Sequence, residues 1–253
     1  MIVIQIFNTI CYQPLLNLLV FIYNVLPGHD LGVVIIVVTV IIRGILYPFS
    51  AQSIRAQKMM QEIQPKIDEL KKLYKDQKEK QASEMMKLYK EQKINPLSSC
   101  LPLLIQLPFL LAIYQVFQVG ITNGSLSMLY PFIHNPGQIN TIAFGFLNLS
   151  KPQIAIALLA AIAQFFQAKM LVKTRPTVKN KGSKDEDMMA IMNKQMTYVM
   201  PVITFFIGFS LPGGLVFYWL VLTLLTILQQ AIVFRKIKKD PIIVIDSNSS
   251  NKQ

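Results

Sequence analysis

The sequence predicts an all-α integral membrane protein: a five-transmembrane-helix bundle with a cytosolic helical hairpin and an N-terminal interfacial amphipathic helix. Two observations support this class. Of the 253 residues, 53% are hydrophobic and 15% are charged, with a mean hydropathy of +0.43, whereas soluble domains carry about 25% charged residues. In addition, no Asp or Glu occurs between Glu91 and Asp185, and so long an apolar stretch is typical of membrane spans.

Five segments have the length and apolar character of membrane spans. A helix needs about 20 apolar residues to cross the hydrocarbon core, and lipid tolerates no backbone with unpaired polar groups. The predicted spans are residues 31–49, 97–119, 152–172, 196–211 and 213–234. They form a core of residues 31–235, which includes a cytosolic hairpin at 50–96 and a second cytosolic loop at 173–195. A short cytosolic tail is expected at 236–253.

Lys and Arg residues alternate between the connecting segments. Residues 1–32 contain none, 50–96 contain eleven, 120–151 contain one and 169–194 contain seven. Because basic loops stay in the cytoplasm, we expect a multi-pass protein of the bacterial plasma membrane, with its N-terminus outside and its C-terminus in the cytoplasm. The net charge of +12 then reflects topology, and no nucleic acid substrate is expected.

The segment 1–30 is expected to form an outer interfacial helix. Its apolar part, residues 14–26, has only 13 residues, which is too short to span. Gln13, Asn17 and Asn24 fall in a narrow angular sector and leave a broad apolar face, as in helices that lie on membrane surfaces. The alternative joins residues 2–26 into a sixth span, kinked at Pro14.

The hairpin at 50–96 is rich in Lys, Glu and Gln, which favour helices. Apolar side chains recur at helical spacing in both halves, with a turn predicted at 76–81. These stripes contain Ile63, Ile67, Leu70 and Tyr74 in the first helix and Met85, Met86, Leu88 and Tyr89 in the second. The methionines either pack the hairpin or bind apolar segments of other proteins, since Met suits both uses.

Arg43 is the most informative residue, because it lies twelve residues into the first predicted span. A charge at such depth costs about 3 kcal/mol and usually faces a polar cavity. No predicted span contains an acidic partner. We therefore expect Arg43 to be an uncompensated cation in a polar groove that reaches the cytosol and accepts a passing polypeptide. The alternative is that its long side chain extends to the headgroups.

Other polar side chains are candidates for the same groove. Thr39 lies one helical turn before Arg43 and shares its face. Gln164 and Gln167 are candidates for the wall contributed by the third span, and Gln106 is a polar group of the second span.

No motif for enzymatic chemistry is present. The sequence has no phosphate-binding glycine loop and no HExxH zinc motif. Ser210 has no histidine base in any span, because His29 and His134 fall in outer loops. We predict no enzyme activity, cofactor or metal. A small transporter or channel remains the alternative function, since prolines interrupt several spans.

The sequence resembles the YidC/Oxa/Alb family of membrane protein insertases over nearly its whole length, including the order of spans and hairpin. The matching motifs are residues 39–48, 64–67, 84–90, 95–97, 100–108, 200–201 and 212–219. One departure is Ser98–Ser99, where the family usually has two glycines, which affects how closely helices approach.

The resemblance implies an insertase that folds and inserts membrane proteins through a hydrophilic groove without ATP. Arg43 and Thr39 match groove positions, and Tyr218 and Trp219 match aromatic positions on the last span that meet substrate. The implied partners are nascent membrane proteins and the lipid bilayer, together with the Sec translocon and the ribosome.

Overall fold

The computed structural model describes residues 2–92, 94–95, 101–117, 128–172 and 195–239. Most of these residues are helical. The helices occupy the segments in which the sequence predicts them, so the all-α class is confirmed. The main buried core contains side chains from the N-terminal helix, from four helices of the predicted bundle and from the loop at 128–153.

The N-terminal helix is longer than the sequence predicts. Helix α1 (Ile2–Phe7), a π-helical turn (Asn8–Tyr12) and α2 (Gln13–Val25) follow one another without a break. Pro14 lies in the first turn of α2, where its missing N–H is tolerated. Residues Ile4–Val25 are therefore long and apolar enough to cross a membrane, a length that the predicted segment 14–26 lacks.

The first predicted span is bent. Asp30 caps α3 (Leu31–Ile45) by accepting hydrogen bonds from the backbone N–H groups of Gly32 and Val33. After a break at Leu46, α4 (Tyr47–Glu62) continues at an angle of 71° to α3. Pro48 cannot donate to the helical ladder, which accounts for a break at this point. The first predicted span therefore ends at the break at Leu46, and not at residue 49 as the sequence predicts.

The cytosolic hairpin consists of α5 (Gln64–Leu73) and α6 (Lys78–Glu91). The turn predicted at 76–81 is misplaced, since α6 begins at Lys78 and the chain turns at 74–77. The prediction of two apolar stripes is confirmed apart from Tyr74, which is not part of the hairpin core, and Met86, which is exposed. The small core of the hairpin consists of buried Ile63, Ile67, Leu88 and Ile94, with Met59, Met60, Leu70, Met85 and Tyr89 packed against them.

The remaining described elements are α7 (Leu101–Gln115), α8 (Ile154–Val172), a π-helical turn (Gln195–Val199), α9 (Met200–Ser210) and α10 (Gly213–Lys239). Between α7 and α8, β1 (Ile142–Ala143) pairs antiparallel with β2 (Leu147–Asn148). By length and composition the described helices include three membrane spans, or four if the α3–α4 pair is one bent span. The apolar helix Thr197–Ser210 is shorter, and the count of five spans stays a prediction.

The turn between α9 and α10 is anchored by the loop before α8. The backbone N–H of Gly213 donates to the carbonyl of Lys151 at 3.0 Å, and that of Gly214 donates to Leu149 at 2.8 Å. The ring of Phe117 occupies the space where a Cβ on Gly214 would lie. These contacts set the position of α10 relative to α7 and α8, and α10 carries one wall of the site described next.

Candidate functional site

A cavity of about 340 Å³ lies among α3, α4, α7, α8, α9 and α10. Five of the seven predicted groove residues line it: Arg43, Gln106, Gln164, Gln167 and Trp219. The rest of its lining is formed by Leu46, Phe49, Ser50, Ala168, Leu171, Met200, Leu222, Thr223 and Thr226. These five side chains come from helices that are far apart along the chain, and they meet around one cavity.

Arg43 has a neutral partner. Its Nη2 donates a hydrogen bond to the hydroxyl of Thr226 on α10. That hydroxyl donates its own proton to the carbonyl of Leu222 at 2.7 Å, so its oxygen is left to accept from Arg43. The Nε of Arg43 is buried and has no hydrogen-bond partner among the described residues. Part of the guanidinium's hydrogen-bonding capacity is thus left for another molecule.

Gln106 and Tyr218 form a hydrogen-bonded pair between α7 and α10. The amide of Gln106 donates to the hydroxyl of Tyr218 at 2.7 Å. Tyr218 is buried and does not line the cavity, so its contribution is to hold Gln106 in the wall. Trp219, the next residue, is partly exposed and lines the cavity itself.

The wall contributed by α8 is formed by Gln164, Gln167, Ala168 and Leu171. The Oε1 atom of Gln164 is buried and accepts no hydrogen bond within the part of the chain that the structure describes. A buried acceptor of this kind is costly unless water or a ligand satisfies it. The wall is therefore suited to a polar occupant.

Thr39 does not share the cavity with Arg43, contrary to the predicted polar stripe. The side chain is 1% exposed, and its hydroxyl donates to the carbonyl of Ile35 at 2.6 Å. Because the hydroxyl of Thr39 donates its proton to a carbonyl of its own helix, it needs no hydrogen-bond partner from a cavity. The long side chain of Arg43, one turn later, reaches across to α10.

The depth of the cavity follows from its lining residues on α10. Trp219 and Thr226 lie six and thirteen residues after Gly213, where α10 begins. At a rise of 1.5 Å per residue they are about 9 and 20 Å from that end of the helix. Arg43 lies two residues before the end of α3. On α10, which is 27 residues long, the cavity therefore lies in the half that begins at Gly213, whereas on α3 it lies at the end that leads into α4 and the hairpin.

Sequence reasoning did not single out Thr226 or Ser50. Thr223 and Thr226 follow Trp219 by four and seven residues, so they lie on the same face of α10. That spacing was a usable signal once Trp219 had been proposed. Ser50 carried no comparable signal, because its place in the lining depends on the bend between α3 and α4.

Several known proteins are similar to this chain in sequence. Residues 21–240 match the family described as 60Kd inner membrane protein. A Fusobacterium nucleatum protein named "Membrane protein insertase YidC" is 30% identical over 227 residues, covering 89% of this chain and 97% of that protein.

Two further relatives with that name come from Treponema denticola and Wigglesworthia glossinidia brevipalpis. They are 34% identical over 218 residues and 33% identical over 234 residues, covering 86% and 92% of this chain. The chain spans 36% and 38% of the length of these two relatives. The resemblance drawn from the sequence motifs is confirmed.

Proposed function

Because the chain belongs to the 60Kd inner membrane protein family, we infer that it is a membrane protein insertase and not an enzyme. Family membership and the apolar helices support a multi-pass protein of a bacterial inner membrane. One observation supports the mechanism: a cavity lined by glutamine and threonine side chains as well as apolar ones contains Arg43, and no acidic residue lies in any predicted span.

The cavity lowers the barrier to moving a hydrophilic segment through lipid. Polar groups in hydrocarbon cost several kcal/mol each when they make no hydrogen bonds. A cavity with polar side chains inside the bundle shortens the apolar distance that such a segment must cross. Arg43 attracts acidic segments, and its buried Nε and the Oε1 of Gln164 offer one donor and one acceptor. Burial of the apolar helix of the substrate in lipid then drives insertion without ATP.

The substrates in this proposal are nascent membrane proteins, and the bilayer receives them. The Sec translocon and the ribosome are proposed partners on the basis of the family resemblance. The exposed residues Arg235 and Lys236, near the end of α10, give this end of the helix a basic surface suited to ribosomal RNA or anionic headgroups.

We also propose the five-span topology, with α1 and α2 on the outer surface. Support comes from contacts along α2 with the loop before α8. Gln13 and Asn17 both donate to the carbonyl of Met128 at 3.2 Å, and Asn24 donates to that of His134 at 2.7 Å. Gln13 and Asn24 are about 16 Å apart along the helix. A helix that crossed the membrane would meet an outer loop only near its outer end, whereas these contacts reach Gln13, near the middle of the helix that runs from Ile2 to Val25.

The proposed function is tested by inserting a small single-span protein with an acidic outer tail into liposomes without ATP. Protease protection of the tail measures insertion by the wild type, Arg43→Ala and Arg55→Ala. Arg55 is exposed on α4, so its replacement removes the same charge outside the cavity. We expect insertion by the wild type and Arg55→Ala, and a fall of about tenfold for Arg43→Ala, equivalent to about 1.4 kcal/mol.

The outcomes separate the alternatives. Equal insertion by all three proteins would leave the insertase in place and remove Arg43 from its mechanism. Insertion no higher than in empty liposomes would contradict the proposal. Saturable uptake of a small solute by the same vesicles would then favour the transporter.

A further inference from the structure

Helix α4 lies across the cytosolic rim of the cavity. At its start, Phe49 and Ser50 line the cavity. Near its end, the amide of Gln61 donates to the backbone carbonyl of Leu171 on α8, and Leu171 is also a lining residue. Ser50 and Gln61 are about 16 Å apart along a helix. Helix α4 therefore connects two sides of the rim.

Gln229 of α10 fixes the start of α4. Its amide donates to the hydroxyl of Ser50 at 2.6 Å and approaches the carbonyl of Tyr47 at 3.4 Å. The hydroxyl of Ser50 in turn donates to the carbonyl of Tyr47 at 3.0 Å. Gln229 is 6% exposed. These bonds lie directly after the break at Leu46, so they hold the 71° bend that lays α4 over the rim.

A small apolar cluster and a cation–π contact hold the middle of α4 against α10, where the ammonium of Lys58 lies 5.5 Å from the ring centroid of Phe234. Ala51 and Ile54 are buried with Val233 of α10, and Phe234 and Ile237 pack against them. This cluster is separate from the main core of the bundle. Segments with few buried apolar contacts open at lower cost than the core.

Two buried acceptors near α4 also favour an opening. The Oε1 atoms of Gln61 and Gln230 are buried without a hydrogen-bond partner among the residues described here. Gln230 follows Thr226 by four residues, so it lies one helical turn below the cavity on the same face of α10. An unsatisfied buried acceptor costs about 1–3 kcal/mol. Water or the backbone of a passing polypeptide would satisfy both acceptors once α4 moved.

We propose that α4 is a strap that closes the cytosolic rim of the cavity and swings away at the Leu46 break to admit a hydrophilic segment. Gln229 and Gln61 are its positioning residues. This inference rests on the proposed insertase function and specifies how its cavity is reached from the cytosol.

The first test locks the strap in place. In a Cys11→Ser/Cys100→Ser background, the pair Ile54→Cys/Val233→Cys is oxidised to a disulfide that joins α4 to α10. The pair Ala157→Cys/Gly208→Cys, which joins α8 to α9 where these helices are in close contact, is the matched control. We expect insertion to fall at least tenfold in the oxidised Ile54/Val233 protein and to recover on reduction, and the control pair to insert in both states.

The second test weakens the hinge and does not depend on insertion. Thr223→Cys places a thiol in the cavity wall, in the same cysteine-free background. A bulky, membrane-impermeant maleimide is added to the cytosolic side of inverted vesicles, and the labelling rate is measured with and without Gln229→Leu. Leucine is close to glutamine in size, and Ser50 keeps its bond to Tyr47, so the variant should fold. We expect labelling to become several-fold faster.

Gln138→Leu, the same change at an exposed position in the outer loop, is the control and should leave the labelling rate unchanged. Normal insertion by the locked protein, or a labelling rate that Gln229→Leu leaves unchanged, would overturn the strap while the insertase function stands. Failure of the wild-type protein to insert its substrate would contradict the proposed function without affecting the labelling result.

Discussion

Arg43 and Thr226 show what one hydrogen bond contributes to the cavity. An arginine in an apolar helix is conspicuous in any sequence, and its position predicted a polar site. The sequence did not reveal that its partner is a hydroxyl 183 residues later. The order of residues alone does not show which faces of α3 and α10 meet. A neutral partner orients the guanidinium without cancelling its charge, which suits a site that attracts acidic segments.

The first prediction tests this orientation. Thr226→Val keeps the shape of the side chain but removes the acceptor for Arg43. Interhelical hydrogen bonds in membranes are worth about 1 kcal/mol, so we expect insertion to fall roughly fivefold, less than in Arg43→Ala. Thr226→Ser restores the hydroxyl and should restore insertion. Equal loss in the serine and valine variants would show that packing, and not the hydrogen bond, explains the effect.

At the scale of elements, the junction between α9 and α10 depends on two glycines. The predicted spans 196–211 and 213–234 leave room for only a short turn between them. The structure adds the reason why Gly213 and Gly214 cannot carry side chains: the loop before α8 and the ring of Phe117 fill the space beside them. This close approach fixes the start of α10, which carries Trp219 in the cavity wall and the buried Tyr218 behind it.

The second prediction concerns this approach. Gly214→Ala would place a Cβ inside the ring of Phe117, and overpacking of this kind costs about 1–3 kcal/mol. Gly44→Ala is the matched control, because no atom lies within 4 Å of the added Cβ and alanine favours helices by up to about 1 kcal/mol. Denaturant unfolding in detergent should show a lower free energy of unfolding for Gly214→Ala and no loss for Gly44→Ala. Similar values for both variants would refute the steric argument.

The boundaries that the sequence predicts for the hairpin turn and for the first span differ from those in the structure. The helical spacing of Ile63 and Ile67 predicted a buried stripe, and both are buried. The turn was misplaced because Lys78, Glu79 and Lys80 are polar yet good helix formers, so composition alone does not separate a turn from an exposed helix. The 71° bend after Leu46 likewise depends on packing of α4 against α10.

At the scale of the whole molecule, the N-terminal helix decides the topology. If α1 and α2 lie on the outer surface, both ends of the helix are outside. If the helix spans the membrane, Gln5 is on the cytosolic side and Asn24 is outside. The observed length permits a span, whereas the contacts of Gln13 and Asn24 with the outer loop favour the surface.

The third prediction separates these placements. Single cysteines replace Gln5, Asn135 or Lys78 in the Cys11→Ser/Cys100→Ser background, and cells with a permeabilised outer envelope but an intact inner membrane receive an impermeant thiol reagent. We expect labelling at positions 5 and 135 and none at 78 until the inner membrane is disrupted. Protection of position 5 together with labelling of position 135 would assign the helix as a sixth span. Labelling of position 78 while the inner membrane is intact would show that the hairpin lies outside, which contradicts the proposed topology.

The sequence by itself determined the membrane class, the helical segments, the hairpin and the family, and it predicts that the hairpin lies in the cytosol. These properties depend on quantities that accumulate along the chain, namely apolar length, helical periodicity and loop charge. The tertiary structure decided which polar side chains meet. It paired Arg43 with Thr226, enclosed Thr39 and bent α4 over the rim of the cavity. Such outcomes depend on the rotation and close approach of helices distant in sequence, which packing selects and no local pattern records.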